Sequence, residues 1–354
     1  MSGIGSIGRL DAGAAALRAR LEVLTRQMSD GRKGPGYGDI APEARRAIDL
    51  RADMARREAW EGTISRALAR TEVTQKALGR MSDIATQFYE EAILIDGTSE
   101  ERISAVAAQA KAALSEFASL LNERYAGEYL FGGSDGANPP IPDPENIASS
   151  GFATDIAAAV AGLGGGNAAA VAAATLAAAS SDAAGTTPFS AFLSDPALGL
   201  TEPRRSVPAA EGERVGYGVF ANRNATATSE GETTGSWARD ILRGLATLAA
   251  MDPSQAALGT DFTDLIATVR DGMRSAIDAI GEERGALGVT EQRLETTAQR
   301  HSEVSVALAG QLASIEEVDM AETISRLQNT KTQLEASYNA IALVSGLTLT
   351  QFLR

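Results

Sequence analysis

The placement of proline is the feature that most restricts how this chain can fold. Eight of its eleven prolines lie between Pro139 and Pro208, in a stretch that is also rich in glycine, alanine and serine. Proline lacks a backbone N–H and clashes with the preceding helical turn, so a long helix cannot run through that stretch. Long helices can form only on either side of it. We therefore predict two helical flanks around an insertion at residues 139–235.

The first flank carries apolar residues at steps of three and four from Ile4 to Met28. This spacing keeps the side chains on one helix face and is typical of a coiled-coil seam. Glycines and a proline between Gly31 and Gly38 end the pattern and predict an elbow. We predict a terminal coiled-coil segment at residues 1–42, with an assembly seam made of Ile7, Leu10, Leu17, Leu21, Leu24 and Met28.

The last part of the chain repeats this spacing, which predicts a second terminal segment at residues 315–354. An apolar residue left in water forgoes about 1.5–3 kcal/mol relative to full burial. The two seams are therefore expected to pair with each other or with neighbouring copies. The second seam consists of Ile324, Leu327, Leu334, Tyr338 and Ile341.

Between the termini, residues 43–138 and 236–314 show helical periodicity and predict a rod domain. Within the insertion, the run RVGYGVFA, residues 214–221, alternates with period two and indicates a strand. The expected fold class is mainly α: a long antiparallel helical bundle or coiled coil, formed by the two flanks, with a small β or mixed insertion domain that faces outward.

The net charge of −14 would repel a phosphate backbone, so nucleic acid is not an expected partner. The absence of cysteine excludes disulfides and thiolate sites. Residues 156–181 contain no charged side chain, and the next one is Asp182. The stretch is mostly alanine with a glycine cluster, so no membrane span is expected. The N-terminus shows no apolar region flanked by Lys or Arg, so no cleaved signal peptide is expected either.

Three observations argue against an enzyme or a cofactor-binding protein. The only histidine, His301, lies in a polar helical pattern and is expected to be a solvated residue. The run GIGSIG, residues 3–8, has the spacing of a dinucleotide loop but lacks the preceding strand that such a loop requires. Adjacent acidic pairs such as Glu316 and Glu317 diverge by about 100° on a helix. No catalytic residue, metal ligand or cofactor is therefore predicted.

Three stretches resemble the bacterial flagellin superfamily. Residues 24–60, from LTRQMSDGRKG onward, are similar to that family's N-terminal helix end and the arginine-rich helix that follows it. Residues 316–353 resemble its C-terminal helix. The run LNERYAGEYLFGG, residues 121–133, is similar to a stretch of the family's hook–filament junction proteins, whereas filament flagellins usually carry F-N-G there. The residues of this family motif are Tyr129, Leu130, Phe131, Gly132 and Gly133.

The resemblance implies a structural subunit of the bacterial flagellum, exported unfolded through the flagellar type III channel and located outside the cell. It implies a homo-oligomer that contacts neighbouring axial proteins (a hook-associated protein and flagellin) and an export chaperone in the cytosol. The expected role is to join hook to filament by folding that is coupled to polymerisation. The filament subunit is the first alternative. A cytosolic coiled-coil signalling or scaffold protein is the second.

Overall fold

The computed structural model describes residues 2–95 and 99–352, and it describes side chains for residues 8–95 and 99–344. Within these ranges the chain is mostly helical, with short strands confined to its middle part, so the predicted fold class is confirmed. The helices are α1 (Ser2–Asp30), α2 (Ala44–Leu94), α3 (Glu100–Leu121), α4 (Gly151–Ala161), α5 (Ala168–Ser180), α6 (Trp237–Ala249), α7 (Thr260–Glu316) and α8 (Met320–Phe352). The strands are β1 (Arg124–Tyr125), β2 (Glu128–Tyr129), β3 (Ser206–Ala210) and β4 (Glu213–Gly216).

The chain divides into two compact units. Unit 1 contains residues 1–59 and 300–354, and unit 2 contains residues 60–299. The residues predicted to form an insertion, 139–235, thus share unit 2 with helical residues from both flanks. The predicted boundaries at residues 42/43 and 314/315 and the outward-facing position of the insertion remain predictions.

Unit 1 contains the terminal helices α1 and α8, the first part of α2 and the last part of α7. Helix α1, which includes the GIGSIG run, packs against α8. α1 ends at the predicted break, where Gly31 adopts a φ of 69° that favours glycine. The break between α7 and α8 lies beside it, because the N–H of Val318 donates to the carbonyl of Gly31 (3.0 Å) and the N–H of Lys33 to that of Glu316 (2.8 Å). The N- and C-terminal parts of the chain therefore turn at the same level of unit 1.

Unit 2 is organised around α6. Residues 237–248 of this helix are all buried, because α3, α4 and α5 pack against it. Its Ser236 N-cap accepts a hydrogen bond from the N–H of Arg239, which fixes the start of the helix. Trp237 meets the rings of Phe117 and Phe131 edge to face, with ring centroids 6.4 and 6.5 Å apart. A helix buried on all sides needs every polar side chain satisfied by the surrounding elements, and α6 carries three charged ones.

Residues 139–235 form a mixed structure. The alanine-rich stretch folds into α4 and α5, which are separated by a turn containing three glycines of positive φ, Gly164, Gly165 and Gly166. β3 and β4 form an antiparallel hairpin with an irregular register between Pro208 and Ala210. The strand predicted over RVGYGVFA ends at Gly216. Among the described residues, no helix is both long enough and apolar enough to cross a bilayer.

Candidate assembly surface

The predicted seam of α1 lies on one face, and unit 1 covers it in part. Leu24 is buried, together with Ala14 three steps further back in the same row. Leu10, Leu17 and Leu21 are half-buried, whereas Met28 is exposed. The side chain of Ile7 falls outside the described residues. Since α8 is the helix that packs against α1, the α1 seam is the contact face of this helix pair.

The predicted seam of α8 divides between two faces. Leu327, Leu334 and Ile341 are half-buried, but Ile324 and Tyr338 are 40% and 38% exposed. An α-helix advances about 100° per residue. Ile324 and Tyr338 therefore lie on the same side as the exposed Met320, next to the half-buried row rather than within it.

The buried positions of α8 are two threonines that sequence reasoning did not include. Thr323 and Thr330 are both buried, in the row that continues through Leu327 and Leu334. Their hydroxyls donate to the carbonyls of Asp319 (2.7 Å) and Arg326 (2.8 Å), within the helix. A threonine whose hydroxyl is satisfied by its own helix can be buried at little cost. The spacing of residues 323, 327, 330 and 334, at steps of four, three and four, could have indicated this buried row. A search for apolar residues alone overlooks it, because two of the four are threonines.

Tyr338 is tied to α1 although its ring is partly exposed. Its hydroxyl accepts a hydrogen bond from Nε of Arg18, whose guanidinium lies 5.0 Å from the ring centroid. This cation–π contact leaves part of the ring uncovered in the single chain, on the same side of α8 as Met320 and Ile324 but about four turns further along the helix from Ile324. We call Met320, Ile324 and Tyr338 the α8 edge.

The arginine-rich start of α2 reaches across to α7 within unit 1. Arg51 pairs with Glu316 at 2.8 Å, and this hydrogen bond is the main reason that the pKa of Arg51 is raised. Arg46 donates to Gln311 at 3.2 Å. Ala47, Leu50 and Ile315 form a small apolar cluster beside these pairs. The arginines thus connect two helices that run in opposite directions, and they fix which turn of α2 faces which turn of α7.

The expectation that His301 is solvated is wrong. The side chain is 3% exposed, and its Nδ1 lies 3.1 Å from Nη1 of Arg57 on α2. Because a guanidinium can only donate, Nδ1 must be the acceptor of this bond. The polar surroundings in the sequence were misleading, since the histidine contacts a helix that lies far from it along the chain. His301 therefore contributes to the α2–α7 contact.

The family motif lies in unit 2 and follows a tight hairpin. α3 ends at Leu121 with Asn122 as its C-cap. Gly127 occupies the turn between β1 and β2, with a φ of 87°. The side chain of Asn122 pairs with the backbone of Ile141 through two hydrogen bonds of 2.7 and 2.9 Å. The end of α3 is thereby fixed to the chain that enters the insertion.

Each residue of the motif has a packing role. Leu130 and Phe131 are buried in the core, and Phe131 contacts Trp237 of α6. The carbonyl of Tyr129 accepts a hydrogen bond of 2.6 Å from the buried Arg70. A Cβ on Gly132 would lie 2.6 Å from the carbonyl oxygen of Asp135, and Gly133 has a φ of 65°. The motif therefore joins the hairpin to α6. It belongs to a different unit from the seam residues.

The described part of the chain contains no cluster of three or more His, Asp or Glu side chains placed to bind a metal ion. The geometry of unit 1 instead offers helix faces, an apolar edge and cross-helix ion pairs. Such features support contacts between proteins.

Comparison with known proteins is consistent with this geometry. Residues 271–353 match the model of the bacterial flagellin C-terminal helical region, and this range includes most of α7 and all of α8. The fold is also similar to a solved structure described as a flagellar hook-associated protein from Vibrio parahaemolyticus. The superposition covers 79% of this chain and 100% of that protein's chain, with a TM-score of 0.50 and 11% sequence identity. At that identity the likeness concerns the fold alone. No curated protein matches the sequence.

Proposed function

We propose that this chain, whose residues 271–353 match the flagellin C-terminal helical region, is a flagellin-superfamily protein and the subunit that joins the flagellar hook to the filament. The match of the C-terminal region, together with the fold, supports a structural subunit of the flagellum. The family is one of structural proteins, in line with the prediction that the chain is not an enzyme.

One observation carries the proposed mode of assembly: the α8 edge presents apolar side chains that are uncovered in the single chain, with the charged Lys331 and Glu335 between Ile324 and Tyr338. Met320, Ile324 and Tyr338 are 41%, 40% and 38% exposed, and all three lie inside the family region. Burying apolar surface gains about 25 cal/mol per Å². A neighbouring copy that covers this edge would therefore stabilise the ordered helix pair, which is how folding becomes coupled to polymerisation.

The helix pair itself supplies little stability. Two of the buried contact positions on α8 are threonines and two on α1 are Ala14 and Leu24, so few large apolar side chains are fully buried between these helices. Long helices in water gain most of their stability from packing, not from intrinsic propensity. We therefore expect the terminal helices to be the least stable part of the isolated chain and to gain stability on assembly.

The junction role rests on the resemblance of the family motif to hook–filament junction proteins. The alternative is a filament subunit, with which the match to the flagellin C-terminal region is equally compatible. Export through the type III channel, an export chaperone and contacts with hook-associated protein and flagellin belong to the same proposal. The absence of cysteine is compatible with export of an unfolded chain.

Localisation separates the two roles. Cells that carry an epitope on this chain would be labelled with gold-conjugated antibody and imaged by electron microscopy, with a matched label on the filament subunit as control. A junction subunit gives one patch where hook meets filament, and its deletion leaves hooks without filaments. Label along the whole filament would overturn the junction role in favour of the filament subunit. Label inside the cell alone would overturn both.

A further inference from the structure

The buried helix α6 carries a carboxylate that lacks one of its hydrogen-bond partners. Asp240 is 3% exposed. Its Oδ1 accepts a hydrogen bond of 2.8 Å from the N–H of Thr234, in the loop that leads into α6. Its Oδ2 is buried without any partner among the described residues. A buried carboxylate oxygen without a donor is costly, so this atom needs an explanation.

A small cavity of about 10 Å³ lies beside Asp240, between α5, α6 and α7. Three threonine hydroxyls line it, one from each helix. Each hydroxyl donates its proton to a carbonyl of its own helix: Thr175 to Ala172 (2.9 Å), Thr247 to Arg243 (2.8 Å) and Thr268 to Asp264 (3.1 Å). With their protons used in this way, the three hydroxyls can act toward the cavity only as hydrogen-bond acceptors. The cavity wall therefore offers hydroxyl oxygens that can accept a hydrogen bond, but no free hydroxyl donor, and none of these hydroxyls is bonded to Oδ2.

The nearby cations do not replace the missing donor. Arg239 uses its three guanidinium nitrogens on the carbonyls of Asn222 and Ala179 and on the carboxylate of Asp182. Arg243 uses its three on Thr175 and on the carbonyls of Glu232 and Ala172. These interactions hold both arginines toward α5 and the 222–232 loop.

The charged groups around Asp240 can be named for each element packed against it. α6 contributes Arg239 and Arg243, the preceding loop contributes Glu232, and Asp182 follows α5. The residues of α7 that line the cavity, Leu265, Thr268, Val269 and Gly272, are uncharged. Since both arginines already pair with acceptors, they add only a longer-range attraction to the Thr234 hydrogen bonds that favour the ionised carboxylate.

We infer that Asp240 is a proton-binding site of the folded chain: its Oδ2, which lacks a donor, carries the proton and remains a neutral carboxyl beside the cavity. Proton uptake at this position stabilises the packing of α5, α6 and α7. The inference concerns the core of unit 2 and does not depend on the proposed function in the flagellum.

The electrostatics agree with this geometry. Burial raises the pKa of Asp240 from 3.8 to about 6, against the opposing effects of the Thr234 hydrogen bonds and of Arg243 and Arg239. A carboxyl whose pKa is raised by folding binds its proton more tightly in the folded state. Its stabilising contribution is complete below the unfolded pKa and is lost as the pH rises through about 6. The unfolding equilibrium constant should therefore rise by up to about 100-fold from this group alone.

The first test follows unfolding of the full chain by urea between pH 4 and pH 8 in the wild type and in Asp240→Asn. The amide keeps an acceptor for Thr234 and always presents a donor to the cavity. The variant should lose the rise in unfolding constant between about pH 4 and pH 7 and should be the more stable protein at pH 8. Asp271→Asn is the matched control, because Asp271 is an exposed carboxylate on α7. Its pH profile should follow that of the wild type.

A second measurement needs no variant. In the wild-type chain labelled with ¹³C at the aspartate carboxyl carbon, the Asp240 signal should titrate with a midpoint near 6. A midpoint at or below the ordinary aspartate range would overturn the inference, because a buried water donating to Oδ2 would then keep the carboxylate ionised. Equal pH profiles for the wild type and Asp240→Asn would overturn it as well.

Discussion

At the scale of single residues, the turn between β1 and β2 holds the only described residue other than glycine with a positive φ. Ala126 has a φ of 49° and is followed by Gly127 with a φ of 87°. Two consecutive residues of positive φ are typical of the type I′ turns that close two-residue hairpins. The left-handed conformation costs alanine about 1–2 kcal/mol, whereas asparagine and glycine tolerate it. The turn is therefore strained at one position.

Replacing Ala126 with Asn should relieve this strain. We expect the free energy of unfolding of unit 2 to increase by about 0.5–1 kcal/mol, measured from urea unfolding curves. Gly127→Ala is the matched control, since a Cβ there would meet no atom within 4 Å and its effect is that of the backbone alone. It should destabilise unit 2. If Ala126→Asn lowers the free energy of unfolding, the positive φ of Ala126 does not destabilise the turn.

Local patterns predicted single residues well only where their partners are close in sequence. The break at Gly31 was predictable because glycine and proline act on the adjacent backbone. The roles of His301 and Glu283 were not. Glu283 is buried and accepts hydrogen bonds from the N–H groups of Ala225, Thr226 and Ala227, more than fifty residues away. Nothing in the sequence around Glu283 indicates that partner.

At the scale of helices, the two faces of α8 should respond differently to substitution. Ile324 lies on the exposed α8 edge, and Leu24 lies in the buried contact between α1 and α8. Replacing Ile324 with Asp should prevent self-association while leaving the unfolding of the single chain nearly unchanged, because an exposed side chain contributes little to folding. Sedimentation velocity measures the first effect, and circular dichroism during urea unfolding measures the second.

Asn329→Asp provides a matched control on the far side of α8. Five residues after Ile324, Asn329 is exposed and lies about 140° around the helix from it. The new charge is the same, so self-association that survives Asn329→Asp but not Ile324→Asp locates the contact at the α8 edge. If both variants associate like the wild type, the α8 edge is not an assembly surface.

Leu24→Ala tests the buried face of the helix pair. Removing a buried leucine side chain typically costs about 2–5 kcal/mol. We expect amide exchange of the α1 and α8 backbones to become faster, with exchange in α6 unchanged as an internal reference. Slow exchange that persists in both terminal helices would mean that Leu24 does not contribute to their pairing.

Helix periodicity predicted the existence of α1, α2, α3, α7 and α8, and it predicted the contact face of α1. It did not resolve the faces of α8, because Ile324 and Tyr338 sit within one turn of the Leu327 row and only a partner helix decides which side is covered. The fold of residues 139–235 was predictable only as a mixed structure. Alanine-rich segments such as α5 carry almost no amphipathic signal, and their position depends on the arginines of α6 that bind them.

At the scale of the whole molecule, the net charge belongs almost entirely to unit 2. Unit 1 contains 15 basic and 14 acidic residues, and unit 2 contains 17 basic and 32 acidic residues. Unit 1 is therefore nearly neutral, with a charge of +1, and unit 2 carries −15. Neutral surfaces can pack together in a polymer without electrostatic cost. Acidic surfaces repel each other and keep a chain soluble before assembly.

Self-association should for this reason be stronger at higher salt. Added salt shortens the Debye length from about 30 Å at 0.01 M to about 8 Å at 0.15 M, which screens repulsion between acidic units, whereas apolar contacts such as the α8 edge persist. Sedimentation of the purified chain across this range should show growing oligomers.

Replacing the exposed acids Asp83, Glu90 and Asp155 of unit 2 with Lys should flatten the salt dependence, because it changes the net charge of unit 2 from −15 by six units toward neutrality. The same number of acid-to-Lys replacements at Asp11, Glu22 and Glu335 of unit 1 should leave the repulsion between acidic units in place. If salt instead dissociates the oligomers, ion pairs between copies hold the assembly together and the apolar edge does not.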